Sequence, residues 1–303
     1  MINDLQDKIV KLKKKKNIAI VAHSYQSIEI QEIADLVGDS FMLSERVQHF
    51  KQNTIVLCGV RFMAETIKLL SPEKKVILAN DAASCPMAKQ LSVYEIKEFK
   101  NQNPNYSVVA YVNTTTELKA ISDVCVTSSC AVKVVKNLDS DNILFIPDKN
   151  LGAMVQSKIP KKNFKFMDGC CPIHSIVTEK ETINTMKKYP NYKLLCHPEL
   201  SPKVCKYADF VGSTSEIINY AKNHNDNCII GTEVNIAKKL SILYPNRHFP
   251  LLSNNLVCRN MAVTSLSDVY RAISKDDISE IEIPKGVANA ARQSIKKMIE
   301  LSV

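Results

Sequence analysis

At 303 residues, 45% hydrophobic and 23% charged, the chain has the composition of a soluble globular protein with room for two or three domains. No apolar run approaches the roughly 18 residues that cross a bilayer, and Met1 to Lys16 lacks the apolar centre of a signal peptide, so a cytoplasmic protein with no membrane partner is expected. The net charge of +9 gathers in Lys13 to Lys16, Lys161-Lys162 and the C-terminal lysines as solvated helix faces do; with no Trp and scattered aromatics, nothing offers single-stranded nucleic acid a stacking platform.

Along the chain, strand and helix patterns alternate in three successive units. In the first, Asn17 to Val21 is a short apolar run bounded by charge, which predicts a buried strand. Ile28 to Leu36 has helical spacing, Asp35 to Gly38 reads as a second strand, and Ser40 opens a helix through Phe50. Thr54 to Cys58 is a third strand, Phe62 to Leu70 a helix ended by Pro72, and Lys75 to Ala79 a fourth strand leading to Cys85. The second unit repeats the strands at Ser107 to Tyr111, Val124 to Val126, Asn142 to Ile146 and Phe164 to Met167. The third has Lys193 to Cys196, Phe210-Val211, Cys228 to Ile230 and His248 to Leu252. After Met261, helices at Ser267 to Ile273 and Val287 to Leu301 are expected to pack back on the first unit. Such alternation implies an α/β protein with small parallel sheets and helices on both faces, hence three similar three-layer αβα domains. The expected boundaries give residues 1–95 with 262–303, then 96–182, then 183–261.

The units also repeat in detail. Ala22-His23-Ser24-Tyr25 leads to Asp35 and on to Ser40; Ala110-Tyr111-Val112-Asn113 leads to Asp123 and Ser128; Cys196-His197-Pro198-Glu199 leads to Asp209 and Thr214. In each, the opening residue lies 18 before the closing hydroxyl. Three cysteines, Cys85, Cys171 and Cys258, follow at spacings of 86 and 87. Equivalent units around a pseudo-threefold axis would bring these thiols to one point. Cys170 adjoins Cys171, and the spacing favours Cys171 only slightly.

Ten cysteines without an export signal point to metal or reactive thiols rather than disulfides. Cys58, Cys125 and Cys228 lie in apolar runs and read as small buried residues. Thiolates suit zinc and iron–sulfur clusters, but structural zinc sites use closely spaced pairs. Four cysteines normally hold a [4Fe–4S] cluster, so three leave one iron open to act as a Lewis acid on substrate. That favours dehydration over electron transfer.

Acid–base groups are expected where ligands gather, beyond the carboxyl ends of parallel strands. His23 and Tyr25, Tyr111 and Asn113, and His197 and Glu199 occupy those places. Tyr25 would exchange a proton if its neighbours lower its pKa, and Glu199 would serve as a base. Ser40, Ser128 and Thr214 each sit between a strand and a helix, where a hydroxyl caps the helix or helps bind an anion. Their recurrence in register favours a shared site. His49, His224 and His248 have no repeat partners and read as structural. With seven glycines and no GxGxxG, P-loop or GxSxG pattern, dinucleotide, P-loop and nucleophile-elbow chemistry lack support.

Several strings resemble the quinolinate synthase family: Ala22-His23-Ser24-Tyr25-Gln26, Gly59-Val60-Arg61-Phe62-Met63-Ala64-Glu65-Thr66, Tyr111-Val112-Asn113-Thr114 and Phe145-Ile146-Pro147-Asp148-Lys149-Asn150-Leu151-Gly152. So do His197-Pro198-Glu199, Gly212-Ser213-Thr214-Ser215, Gly231-Thr232-Glu233 and Cys258-Arg259-Asn260-Met261. The resemblance runs from about residue 17 to about residue 270. It implies three αβα domains around a pseudo-threefold axis, with a [4Fe–4S] cluster ligated by Cys85, Cys171 and Cys258 below a central cavity. It further implies a carbon–carbon bond-forming transferase of NAD biosynthesis, which condenses iminoaspartate with dihydroxyacetone phosphate to quinolinate, releasing phosphate and two waters. By the same resemblance, Tyr25 and Glu199 transfer protons, and His23, Ser40, Tyr111, Asn113, Ser128, His197, Glu199 and Thr214 surround the substrate. An aspartate-oxidising enzyme would supply the iminoaspartate. Ser175 and Cys130 stand where the family usually has glutamate and asparagine. The alternatives are an iron–sulfur hydro-lyase for another hydroxy acid and a non-catalytic zinc or anion-binding scaffold.

Overall fold

The structure is a computed structural model that describes residues 2–275 and 278–303. Helix α1 (Ile2–Lys15) buries Ile9 and is followed by a turn at Asn17, whose φ of 51° is a left-handed conformation that asparagine tolerates just past a helix end. The first unit runs β1 (Ile18–His23), α2 (Ile28–Ile33), β2 (Leu36–Gly38), α3 (Ser40–Val47), β3 (Thr54–Cys58), α4 (Arg61–Leu70) and β4 (Lys75–Leu78), then a 3-10 turn, Pro86–Lys89, and α5 (Val93–Gln102). The second is β5 (Ser107–Tyr111), α6 (Thr116–Ile121), β6 (Val124–Val126), α7 (Ala131–Asn137), β7 (Asn142–Ile146), α8 (Lys149–Lys158), β8 (Asn163–Phe166) and α9 (Glu179–Lys188). The third is β9 (Lys193–Cys196), α10 (Pro202–Cys205), β10 (Phe210–Val211), α11 (Thr214–Asn223), β11 (Cys228–Gly231), α12 (Val234–Leu243) and α13 (Arg259–Ala262). Helices α14 (Leu266–Ser274) and α15 (Lys285–Leu301) close the chain.

Among the described residues the strands form three parallel sheets, ordered β2-β1-β3-β4, β6-β5-β7-β8 and β10-β9-β11. The protein is thus α/β, with three similar αβα units. Register repeats with topology: Ala22 lies opposite Val37, Ala110 opposite Cys125, and Cys196 opposite Val211. The leading strands β1, β5 and β9 are almost wholly buried and apolar, as parallel strands covered on both faces must be.

A carboxylate fastens each unit at the same place. Asp35 accepts from the Ile20 N–H at 2.8 Å, Asp123 from Val108 at 2.7 Å and Asp209 from Leu194 at 2.9 Å. Each aspartate returns its own N–H to the carbonyl of that same residue. This pairing draws Asp35 alongside the strand and leaves Ala34 extended, so the helix expected through Leu36 stops at Ile33.

Two further departures from the expected pattern have local causes. The fourth strand of the third unit is reduced to one parallel bridge between Ile230 and Leu251. Pro250 lies within that segment and has no N–H to extend a ladder. Helix α14 packs on α1 and β3, but α15, expected on the first unit, lies across α4 and more extensively α6 and β6 of the second. Its buried stripe of Ala291, Ser294, Ile295 and Met298 fills the space there, and Ser294 donates to the Lys119 carbonyl at 2.8 Å.

Candidate active site

The three units meet at a cavity whose empty space, mouth included, is about 840 Å³. His23 and Tyr111 are the last residues of β1 and β5, and His197 directly follows β9, so parallel register alone delivers three equivalent side chains to the same end of their sheets. The structure brings together every residue the sequence nominated. His23, Tyr25, Ser40, Tyr111, Asn113 and Ser128 line this cavity. So do His197, Glu199, Thr214 and the cysteines Cys85, Cys171 and Cys258. Asn113 keeps a buried Oδ1 with no hydrogen-bond partner among the described residues, a place for a ligand donor.

Capping does not account for the three hydroxyls. The N-caps are Asp39, accepting from Met42 N; Cys130; and Ser213, accepting from Glu216 N in a capping box. Ser40 and Thr214 stand just inside their helices and Ser128 two residues before its cap, so none of the three hydroxyls is spent on capping, and all three residues line the cavity.

The sulfurs share one setting. Each Sγ accepts backbone N–H groups from the second and third residues after it: Met87 and Ala88 for Cys85, Ile173 and His174 for Cys171, Asn260 and Met261 for Cys258. Burial pushes the Cys85 thiol up to about 12 and raises those of Cys171 and Cys258, against the opposing pull of these N–H groups. Three unpaired cysteines, prearranged to receive N–H bonds yet unable to ionise alone, fit a group whose positive charge holds them as thiolates. Cys171 rather than Cys170 faces the cavity; the Cys170 backbone is instead gripped by Gln90, which accepts from its N–H at 2.9 Å and donates to its carbonyl at 3.0 Å.

Glu199 and Tyr25 are joined through two residues to which the sequence reading gave no role. The Glu199 carboxylate lies 2.9 Å from His174 Nδ1; His174 Nε2 lies 3.2 Å from the Thr232 hydroxyl; Thr232 lies 2.7 Å from the Tyr25 hydroxyl. Thr214 donates to Tyr25 at 3.2 Å, and Tyr111 donates to Glu199 at 2.8 Å. With the His174 proton on Nδ1, every donor from Thr214 to Glu199 points the same way. His174 was visible in the sequence only as the residue three after Cys171; Ala88 and Met261 hold the equivalent positions, so the repeat could not single it out.

Burial would raise the Glu199 carboxyl, but His197, His174 and the Tyr111 hydrogen bond reverse this and hold it well below the usual carboxylate range. Burial lowers His23 and His197 from 6.5 to about 4. Their Nδ1 atoms accept the N–H of Tyr25 at 3.1 Å and of Glu199 at 3.3 Å, which leaves Nε2 as the protonated nitrogen of each neutral ring. The condition set for Tyr25 is not met: burial and the Glu199 charge raise its pKa well above 10, so it is a phenol and enters as a proton donor. The site can therefore offer a carboxylate base and a phenolic acid at opposite ends of one hydrogen-bonded chain.

The family described as Quinolinate synthetase A protein matches residues 7–300 of this chain. Quinolinate synthase of Alkaliphilus metalliredigens is 46% identical over 296 residues, covering 97% of each chain. Those of Caldicellulosiruptor saccharolyticus and of Clostridium perfringens strain SM101 are each 42% identical, over 302 and 299 residues, and cover 99% and 98% of this chain. Cavity, thiols and whole-length likeness agree, and the chain belongs to the quinolinate synthetase A family.

Proposed function

We propose that this protein is a quinolinate synthase that condenses iminoaspartate with dihydroxyacetone phosphate, releasing phosphate and two waters, in NAD biosynthesis. Cys85, Cys171 and Cys258 hold a [4Fe–4S] cluster in this reading. When bound, the cluster supplies a Lewis-acidic iron with an open coordination position. The observation that carries the proposal is the convergence on one cavity of those three cysteines and the chain linking Tyr25 to Glu199.

The protein's own groups divide the remaining work. Glu199, already ionised, takes a proton from a substrate carbon or nitrogen, and Tyr25 gives one to a departing hydroxyl. The Nε2–H groups of His23 and His197, the Asn113 amide and the hydroxyls of Ser40 and Ser128 hold carboxylate and phosphate oxygens, while Thr214 meets the substrate beside Tyr25, to which its hydroxyl donates. The apolar walls from Val60, Phe62 and Met261 limit water in the cavity and strengthen these contacts. A soluble cytoplasmic location, supply of iminoaspartate by an aspartate-oxidising enzyme, and division of the chain near residues 96, 183 and 262 belong to the same proposal.

Anaerobically prepared protein is expected to carry about four irons and four sulfides per chain and to form quinolinate from the two substrates. Iron and sulfide with turnover of a different hydroxy acid would favour a hydro-lyase. A second reading has one observation of its own: ligand atoms of Cys171, His174 and Glu199 lie within 4.8 Å of one another and would suit a single zinc ion. One zinc per chain without sulfide would establish it instead.

A further inference from the structure

The loops that carry the three cysteines share one construction. After the third strand of each unit, the first residue of the next helix donates its N–H to the carbonyl two residues before the cysteine. Arg61 donates to Ala83 at 3.0 Å, Lys149 to Gly169 at 2.9 Å, and Val234 to Leu256 at 2.8 Å. The residue just before each donor is that helix's N-cap, and here the units diverge.

In the second unit the cap is Asp148, wholly buried. Its Oδ1 accepts from Asn150 N at 2.9 Å and Leu151 N at 2.8 Å, and its Oδ2 accepts from the Cys171 N–H at 2.9 Å. In the third the cap is Glu233, 1% exposed, accepting from Asn235 N at 2.8 Å, with the Cys258 N–H near enough to draw its raised pKa back down. The first unit has Val60, which offers no side-chain bond, so Cys85 is placed without one.

Burying a carboxylate is costly unless its oxygens are filled, and a hydroxyl suffices to cap a helix. Ser92, Thr115, Thr178, Ser213 and Ser265 do so elsewhere in this chain. A hydroxyl brings one oxygen. A carboxylate brings two: Asp148 uses its second on the Cys171 N–H, and Glu233 keeps one close to the Cys258 N–H.

We propose that Asp148 and Glu233 are positioning residues that hold Cys171 and Cys258 in their cluster-binding conformation, each coupling a helix N-terminus to one ligand. The inference rests on the reading of these cysteines as cluster ligands. Both carboxylates act through backbone N–H groups; Asp148 stands behind the cavity lining, while Glu233 borders the cavity beside Cys258.

Asp148→Asn and Glu233→Gln keep side-chain size but turn one acceptor oxygen into a donor, so either the helix or the cysteine loses its bond. Each variant, prepared anaerobically, is expected to lose iron to a chelator about tenfold faster than the unaltered protein, the scale seen when outer partners of metal ligands are removed. Its reduced-cluster EPR spectrum should also change. Thr178→Ala, which removes a cap on α9 that bonds Glu181 N and no cysteine, should match the unaltered protein in both. Wild-type iron retention with an unchanged spectrum in both variants would overturn the proposal, as would equally fast loss from Thr178→Ala. The two variants test the two carboxylates separately, so failure of one to fold leaves the other to decide. Absence of iron and sulfide from the unaltered protein would instead overturn the cluster reading itself.

Discussion

Tyr25 shows how much chemistry depends on the surroundings of a single hydroxyl. Burial and the Glu199 charge keep the proton on the phenol against the opposing pull of Thr214 and Thr232, whose bonds fix where the hydroxyl stands. Tyr25→Phe removes that proton and little volume. The variant is expected to keep its iron and its melting temperature while turnover falls by about a hundredfold or more, the scale of a lost general acid; near-normal turnover would remove Tyr25 from the mechanism. Buried histidines make a second prediction at this scale. Between pH 6.5 and 4 the unfolded chain takes up protons that His23 and His197 refuse when folded, so each lowers stability as the pH falls, by on the order of 3 kcal/mol apiece. Asp148 and Glu233, pushed up to about 7 chiefly by burial, act oppositely, gaining protons in the folded protein first. Replacing His197 with Gln isolates one contribution: relative to the parent, the metal-free variant should gain stability as pH drops from 6.5 to 4. A melting-temperature difference that stays constant over that range would contradict the assignment.

At the scale of elements, the close approach of neighbouring loops decides where the cysteines stand. Gly169 precedes Cys171 by two residues, and a Cβ there would collide with the Pro147 carbonyl oxygen, which is backbone and has little room to yield. Gly169→Ala is therefore expected to cost about 2 kcal/mol and to lower iron content, measured together by thermal melting and iron analysis. Strand and helix positions were largely legible, because apolar runs bounded by charge mark parallel strands. The end of α2 and the loss of the last strand near Pro250 were not, since each depends on whether a particular N–H finds a partner in another segment.

For the whole molecule, the join between the first two units depends on α15. Met298 is wholly buried in its apolar stripe between α4 and α6. Met298→Ala should destabilise the protein by about 3 kcal/mol, seen as a lower melting temperature, while the folded fraction keeps its iron and its turnover. Loss of iron in parallel with a small stability change would mean that α15 reaches the site, which its contacts do not indicate.

The sequence by itself determined the threefold plan, because a repeated chain makes repeated strands, and parallel strands place His23, Tyr111 and His197 alike. It also nominated the three sulfurs, through their spacing and through motifs shared with a family. Tertiary structure alone decided what breaks the repeat: His174 and Thr232 completing the link between Tyr25 and Glu199, and carboxylate caps serving two cysteines but not Cys85. Periodicity reports what the units have in common. Hydrogen bonds between units join residues as much as 235 positions apart, and no local pattern records which donor will meet which acceptor.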